Sequence, residues 1–386
     1  MSEIKGGPES REETRRTGRA NSLIRRFLRH RLSQCGIVLL TLLVLLAAFA
    51  DFVGPYGSRE QANEYAYAPP TRLHFRRADG SFSLRPIVYR RESVIDPETY
   101  GRYFEEDLSK AYEVRFFVRG APYRLLGLFP TNVHLFGARA EDGSTDARIY
   151  LFGADPFGRD LFTRALVACR ISLLVGPLTL LILMPIAMLF GGISGYIGGW
   201  TDAVLQRVGE GFMMLPGLPV VLVVGAALAG SGAGAAVVFF GVMSALALIG
   251  WARVARVVRG QVISLREREF VLAARASGAG HLRILLRHIL PHTVSYLVVT
   301  STLLIPGAML TEASLSFLGF GIREPLVSLG SLLNVALDVT TVGRYPWFLI
   351  PSAFIFVSVL AFSFIGEGLR DAFDTLSRSR TRRKAT

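Results

Sequence analysis

Residues 171–194 read ISLLVGPLTLLILMPIAMLFGGIS and contain no charged side chain. A helix of about 20 apolar residues is long enough to cross the hydrocarbon core of a bilayer. Pro177 and Pro185 lie inside the stretch, and membrane helices tolerate such breaks where neighbouring helices satisfy the freed backbone groups. The stretch therefore predicts a transmembrane helix and a membrane-embedded fold.

Five further apolar stretches bring the predicted number of transmembrane helices to six. They lie near residues 37–53, 208–230, 233–252, 293–317 and 346–366. A signal peptide is a competing interpretation of the first stretch, since Ala48-Phe49-Ala50 imitates a cleavage site. The basic leader before it is long for a signal peptide, so we expect an uncleaved first helix. The predicted fold class is an all-α polytopic membrane protein.

The placement of the basic residues predicts the orientation in the membrane. The net charge is +13, and lysine contributes only Lys5, Lys110 and Lys384. Basic side chains concentrate in residues 1–34, 253–292 and 373–386, which the positive-inside rule assigns to the cytoplasm together with both termini. Membrane lipid, and not nucleic acid, is the expected partner of this charge. No lysine follows a glycine-rich loop, which argues against a Walker-type nucleotide site.

Residues 55–150 differ from the rest of the chain, because they are polar and aromatic with short alternating runs. The runs are Thr71–Phe75, Ser81–Val88, Tyr112–Val118 and Tyr123–Phe129. Asp79-Gly80 separates the first two runs and residues 119–122 separate the last two, so each pair predicts a β-hairpin. We expect a small β-rich extracytoplasmic insert between helices 1 and 2. Its arginines are compatible with that side, because long loops translocate largely regardless of charge.

Residues 269–292 read EFVLAARASGAGHLRILLRHILPH. Phe270–Ser277 predicts a short helix with small residues on its surface, and Gly278 and Gly280 allow a sharp turn after it. A second, arginine-edged amphipathic helix is expected to run to Pro291. A smooth alanine surface near a membrane suits docking into a groove of a partner, and an interfacial amphipathic helix fits the same composition equally well. The residues by themselves leave both interpretations open.

A family resemblance favours docking. The segment resembles the EAA loop of bacterial ABC importer permeases, a glutamate-alanine-alanine followed by a glycine and a distant leucine-proline. Leu272 stands where the glutamate usually is, as in many C-type transmembrane subunits of the dipeptide/oligopeptide (Dpp/Opp) family, which this form of the loop resembles. The matching residues, with the flanking arginines of the loop, are Ala273, Ala274, Arg275, Gly278, Arg287, Leu290 and Pro291.

Further motifs extend the resemblance over about residues 153–375 and the first helix, without the insert. Residues 153–160 resemble the family's G-T-D-x-x-G-R-D entrance to the second helix, with Ala154 in place of threonine. Two more motifs lie in residues 312–319 and 366–372. The family residues matched outside the loop are Gly153, Asp155, Gly158, Arg159, Asp160, Glu312, Gly319, Glu367, Arg370 and Asp371.

The resemblance implies a type I ABC importer permease, which forms the translocation pathway with a sister permease of the B type. The other implied partners are one or two cytoplasmic ATPase subunits and an extracytoplasmic substrate-binding protein. ATP and magnesium would bind to the ATPase subunits, so no cofactor, metal site or catalytic residue is expected on this chain. The implied location is the bacterial inner membrane.

Peptides are the first expectation for the solute, while nickel chelates, glutathione, opines and oligosaccharides use similar permeases. The sequence assigns no role to the insert. The two hypotheses are that it contacts the binding protein or that it contacts the sister permease. The predicted organisation is a basic segment (1–34), helix 1 (35–54), the insert (55–150), a permease core with five helices and the coupling loop 253–292 (151–372) and a basic tail (373–386).

Two sets of polar residues have simpler explanations than a site. His281, His288 and His292 suggest a metal, but Pro291 lies between the last two and no further ligand is near in sequence. Glu210, Glu312 and Glu367 lie near the ends of predicted helices, where a snorkelling or interfacially paired carboxylate is favoured over a substrate path or gate.

Two other classes of protein are less compatible with the sequence. A membrane-bound enzyme needs a polar constellation within the spans, and none is found. An ATP-independent secondary transporter is the alternative transport mechanism. It predicts internal repeats and interrupted or charged helices near the midplane, and it leaves residues 253–292 unexplained.

Overall fold

The computed structural model describes residues 25–95, 97 and 102–384, with side chains through Phe373. Residues 1–24 of the predicted basic segment, and the side chains of the predicted basic tail beyond Phe373, lie outside the described part. The expectations for their charges stay predictions.

Five described helices are long and apolar enough to cross a membrane. They are α1 (Arg31–Ala48), α3 (Leu161–Ile197), α6 (Ala235–Leu265), α8 (His281–Phe317) and α11 (Ile350–Lys384). The predicted helical, polytopic fold is confirmed. Shorter helices connect them: α2 (Ala50–Val53), α7 (Glu269–Ala276), α9 (Leu329–Leu333) and α10 (Val339–Arg344).

The stretch predicted as one helix near 208–230 is broken. Helix α4 (Gly199–Met214) and helix α5 (Gly217–Gly230) meet at a bend of 78°, and the pair adds a sixth candidate span if it crosses as one unit. Pro216 stands at the bend, where it lacks an N–H group and disfavours a helical residue before it.

The insert is a four-stranded antiparallel sheet in the order β1-β2-β3-β4, as the β-rich prediction required. Its strands are β1 (His74–Arg76), β2 (Phe82–Ile95), β3 (Arg102–Leu125) and β4 (Phe129–Arg139). The hairpin predicted at Asp79-Gly80 is confirmed, with Gly80 in the left-handed region at φ +84°.

The hairpin predicted at residues 119–122 is wrong. These residues form an irregularity within β3, and the turn to β4 lies at Leu126-Gly127, whose φ angles of +53° and +75° suit a tight hairpin turn. Gly120 has a packing role instead, because a Cβ added there would lie 2.7 Å from the His134 ring. A glycine in a strand pattern thus marked a close side-chain contact and not the end of the strand.

The sheet sits on the ends of α2 and α3. Phe136 of β4 packs against Phe162 in the first turn of α3, with ring centroids 6.2 Å apart. The buried His134 side chain donates from Nδ1 to the Gly54 carbonyl at 2.7 Å. The insert is therefore anchored where the chain leaves the first membrane helix.

Helices α3 and α6 pack closely against each other through glycines. A Cβ added to Gly191 would lie 2.3 Å from the Ala255 carbonyl oxygen, and one added to Gly195 would lie 2.7 Å from that of Arg259. Small residues thus let the two helices approach closely, and this contact brings the end of α3 against the segment that leads to α7.

Candidate functional site

The segment predicted to dock a partner folds as a short helix and a tight turn. The expected helix is α7, which ends with the N–H of Gly278 bonded to the Arg275 carbonyl at 2.9 Å and that of Ala279 bonded to the Ala274 carbonyl at 3.0 Å. This pair of bonds is a Schellman cap. Gly278 has φ +78°, a conformation that costs a residue with a Cβ roughly 1–2 kcal/mol.

The docking surface is defined by the exposed face of α7, the Gly278 turn and the first exposed turns of α8. Ala273, Arg275 and Gly278 are exposed, whereas Ala274 is half-buried against the helical core. A shallow cavity of about 480 Å³ lies beside the turn. The residues that line it are Ala274, Ser277, Gly278, Ala279, Arg283, Arg287 and His288. Small and basic side chains thus surround an open depression.

The helix after the turn does not stop at Pro291. It continues as α8 to Phe317, and its turn over Ile284–Ile289 has π-helical geometry. The wider turn accommodates the proline, whose ring would collide with a regular preceding turn. Leu290 is buried and Pro291 is exposed. The docking surface is therefore continuous with the membrane helix α8. Helix α6 likewise extends into the predicted coupling loop, because it ends only at Leu265.

Tyr196, at the end of α3, holds the docking surface in place. Its hydroxyl lies 3.1 Å from His281 Nδ1, and the Arg275 guanidinium lies 5.4 Å from its ring centroid. His292 donates from Nδ1 to the His288 carbonyl at 2.8 Å and stacks on Phe270. No group of three or more potential metal ligands occurs within the described residues. The histidines thus brace the segment.

A second brace joins α4 to α6. Arg259 donates two hydrogen bonds of 2.6 Å to the two carboxylate oxygens of Asp202, which also accepts one of 2.5 Å from the Ser194 hydroxyl. Arg266 donates to the Gly195 carbonyl at 3.2 Å. Sequence reasoning did not pair Asp202 with Arg259. Little in the sequence indicates this pair, because Arg259 is one of many arginines in its segment.

The motif at residues 153–160 builds the start of α3 on the side of the insert. Asp155 accepts hydrogen bonds from the N–H groups of Phe157 and Arg159 at 2.8 and 3.0 Å, and from Arg159 Nε at 2.6 Å. A Cβ on Gly158, which has φ +71°, would overlap the Ala62 carbonyl. Only glycine fits there.

Asp160 is the N-cap of α3. It accepts from the backbone N–H of Thr163 at 3.0 Å and from the Thr163 hydroxyl at 2.5 Å. Burial raises the pKa of Asp160 to about 6, although these hydrogen bonds lower it in part. Gly153, at φ +79°, turns the chain into this motif. The residues of this stretch that match the family motif therefore form the turn and the N-cap at the start of α3.

Glu324 ties the loop after α8 to this helix start. Its Oε1 accepts from Arg159 Nη1 at 2.9 Å and from Arg164 Nη2 at 2.8 Å. Partial burial acts to raise the pKa of Glu324, but the Arg164 hydrogen bond and the two arginine charges outweigh it and hold that pKa below its usual value. Glu324 was not among the predicted site residues, and its only signal was an acid in a loop of few charges between two predicted helices.

Glu312 was predicted to lie near water, but this prediction is wrong, because its side chain is 0% exposed. The Ser316 hydroxyl donates to Glu312 Oε1 at 2.5 Å and accepts from the Ile322 N–H at 3.0 Å. Gly319, with φ +85°, lets the chain fold back after α8. Gly330 of α9 then packs so closely on Ala313 that an added Cβ would lie 2.3 Å from its carbonyl. This returning segment covers Glu312.

The motif on α11 lies at the opposite end of the bundle. Glu367 and Arg370 are exposed, and Asp371 Oδ2 lies 3.3 Å from His30 Nε2. A cavity of about 680 Å³ has Arg370, His292 and Tyr296 in its lining. Glu210, the remaining acid, pairs with Arg207 at 3.1 Å. The predicted site residues thus fall into two groups, one near the docking surface and one at the insert side of α3 and α8.

Long apolar helices that pack through glycines define a multi-pass membrane protein. Residues 187–379 match the family described as binding-protein-dependent transport system inner membrane component. Residues 21–70 match the N-terminal TM domain of oligopeptide transport permease C. The chain belongs to this family of inner-membrane transport components, as a C-type ABC permease of the Opp/Dpp group.

Individual relatives agree with this assignment. The chain is 44% identical over 225 residues to a protein of Brucella ovis named as a peptide permease. The aligned region covers 58% of this chain and 72% of that protein. It is 38% identical to the oligopeptide transport system permease protein OppC of Bacillus subtilis, over 58% of this chain and 70% of that protein. It is 40% identical to the dipeptide transport system permease protein DppC of the same organism, over 58% of this chain and 68% of that protein.

Proposed function

We propose that this chain is one of two permease subunits of an ATP-driven peptide importer. The supporting observation is the family match over residues 187–379, combined with a docking surface that Tyr196 holds against the end of α3. The peptide solute is supported by the names of the Bacillus subtilis relatives. Nickel chelates, glutathione and oligosaccharides are the alternative solutes, and transport without ATP is the alternative mechanism.

The proposed topology has six spans, with α4 and α5 crossing as one bent unit. An even number of spans puts both termini on one side, and the basic ends of the apolar stretches assign that side to the cytoplasm. The coupling loop 253–292 is then cytoplasmic and the insert 55–150 extracytoplasmic. A sister permease, one or two ATPase subunits and a substrate-binding protein complete the proposed complex.

The proposed mechanism couples ATP hydrolysis on the partner subunits to helix movement in this chain. The ATPase groove receives α7 at Ala273 and the Gly278 turn, with Arg275 and Arg287 at the edges. Movement of α7 passes to α3 through Tyr196, and the Asp202–Arg259 pair makes α4 and α6 follow. A rigid connection of this kind shifts the balance between inward-open and outward-open states without chemistry on this chain.

Charge placed on the docking surface tests this coupling. Gly278→Asp is expected to abolish uptake by combining a carboxylate with backbone strain, and Ala273→Asp separates the two effects because Ala273 has no such strain. Ala273→Ser and Gly280→Ala serve as controls, since Gly280 has an ordinary φ of −65° and open space around it. Peptide uptake and peptide-stimulated ATPase activity are measured in the reconstituted complex. Full uptake by normally assembled Ala273→Asp and Gly278→Asp complexes would argue strongly against coupling through this surface.

The solute is tested with the binding protein that works with this permease. Peptides of two to five residues, a nickel chelate, glutathione and an oligosaccharide are each loaded onto it, and stimulation of ATP hydrolysis by the reconstituted complex is compared. We expect stimulation by peptides alone. Stimulation by another solute and none by peptides would reassign the substrate and leave the coupling proposal intact.

A further inference from the structure

The turn between β3 and β4 carries an exposed apolar tip. Residues 125–129 read LLGLF, and Leu128 and Phe129 are 74% and 65% exposed. Leu126 at the turn is exposed as well. A contiguous apolar cluster of this kind on a small domain indicates a contact with a membrane or a protein.

The direction of the hairpin follows from its contacts with α2 and α3. Phe136 lies beside Phe162 at the start of α3, and His134, nearer the tip, bonds to Gly54. Gly54 in turn approaches Thr163, where an added Cβ would lie 2.3 Å from Oγ1. Still nearer the tip, burial and the Asp51 carboxylate both raise the pKa of Tyr123.

Asp51 marks the expected edge of the hydrocarbon core. It accepts a hydrogen bond of 3.0 Å from Arg170, which directly precedes the uncharged stretch 171–194. The contacts of β4, and the effect of Asp51 on Tyr123, therefore approach that edge in the direction of the tip. Leu126 lies three residues beyond Tyr123, which adds about 10 Å along an extended strand. The tip thus reaches the level at which the apolar part of α3 begins.

We propose that the tip Leu125–Phe129 inserts into the outer leaflet of the bilayer beside α1, with Arg119 and Arg124 on lipid phosphates. The side chains of both arginines are exposed, and neither side chain has a hydrogen bond or an ion pair to another described residue. Leucine and phenylalanine flanked by arginine are typical of segments that bind at the membrane interface. Helix α1 presents exposed Leu42 and Leu45 to the same layer. The inference rests on the proposed extracytoplasmic placement of the insert.

The insertion would hold the insert by two separate attachments. One is the contact of His134 and Phe136 with the helices of this chain, and the other is the lipid-embedded tip. The sheet between them then keeps a fixed height above the membrane.

Spin-label accessibility tests the proposal in the complete importer. A nitroxide amino acid is introduced at position 128 and, as the matched control, at position 103, since Tyr103 is also exposed but lies at the opposite end of β3. The complex is studied in sealed, right-side-out vesicles with a membrane-impermeant nickel complex outside and with oxygen as the apolar probe. We expect the label at 128 to be accessible to oxygen and shielded from nickel, and the label at 103 to be accessible to nickel.

The other outcomes overturn the inference in separate ways. Nickel access at 128 would place the tip in water, and shielding from both probes would place it against the sister permease or the binding protein. If the label at 103 is also inaccessible to external nickel but becomes accessible when the vesicles are opened, the insert is cytoplasmic and the proposed topology fails with it. Nickel access at 103 without lipid contact at 128 overturns the tip insertion only.

Discussion

Arg164 donates a hydrogen bond of 2.8 Å from Nη2 to Glu324 Oε1, although 160 residues separate them in sequence. The Arg164 side chain is buried, and its Nη1 also donates to the Ser58 carbonyl at 3.1 Å. One guanidinium therefore joins the start of the insert, the first turns of α3 and the loop after α8. In the proposed topology this junction closes the outer end of the subunit.

Neutralising Glu324 tests this junction. Glu324→Gln is expected to lower the stability at neutral pH by about 1 kcal/mol or less, because half of the carboxylate side chain is exposed and screened by solvent. The folded pKa is lowered, so the stabilisation is present above the ordinary glutamate pKa of about 4.3 and disappears as the pH falls below it. Thermal unfolding in detergent should show the gap between wild type and variant closing in that range. A gap that stays constant down to pH 3 would contradict the assignment.

Asp202→Asn tests the brace between α4 and α6. The variant loses a bidentate charge-assisted pair that is largely shielded from water, with an expected cost of about 2 kcal/mol. Arg207→Gln is the control, because its ion pair with Glu210 is exposed. We expect the first variant, and not the second, to unfold at a lower temperature and to transport less peptide per ATP hydrolysed. Equal effects of the two variants would show that the Asp202–Arg259 pair contributes no more to stability and coupling than the exposed Arg207–Glu210 pair does.

Ser316→Ala tests the buried carboxylate. The substitution leaves Glu312 Oε1 without the hydroxyl donor and the Ile322 N–H without an acceptor, which costs about 1–3 kcal/mol. Ser314→Ala is a matched control two residues away, since the Ser314 hydroxyl only donates back to the Leu310 carbonyl of its own helix. Denaturant unfolding of the two purified variants should separate them clearly. Indistinguishable unfolding would mean that the returning segment does not depend on Ser316.

Gly191→Ala tests the contact between α3 and α6. An added Cβ overlaps the Ala255 carbonyl, and overpacking of this kind costs about 1–3 kcal/mol. Gly260→Ala is the control, because that glycine of α6 has open space around it. We expect Gly191→Ala to reduce the thermal stability of the subunit and Gly260→Ala to leave it unchanged or slightly higher. A harmless Gly191→Ala would require the two helices to be further apart than described.

The local features of this protein were predictable from sequence. Uncharged stretches such as 171–194 became long helices, because in a bilayer the length and polarity of a segment decide whether it spans. The α7 helix and the Gly278 turn were also predicted, since a helix stop with left-handed glycine depends only on neighbouring residues. The hairpin at Gly80 belongs to the same group. Each of these features is set by residues that are neighbours along the chain.

The features that sequence reasoning missed depend on segments that return from elsewhere. Glu312 was expected near water, yet the chain after Gly319 folds back and buries it. The glycine in residues 119–122 suggested a turn, but its neighbour is the His134 ring on the adjacent strand.

The sequence by itself determined a multi-pass membrane protein with a short helix of small residues and a glycine turn between two of its apolar stretches. Tertiary structure alone decided which charged residues meet, as in Arg164 with Glu324 and Asp202 with Arg259, and where the apolar hairpin tip lies relative to the membrane helices. The physical reason is the range of the interactions. Hydropathy and backbone conformation act along the chain, whereas burial and ion pairing depend on surfaces that only the packed helices bring together.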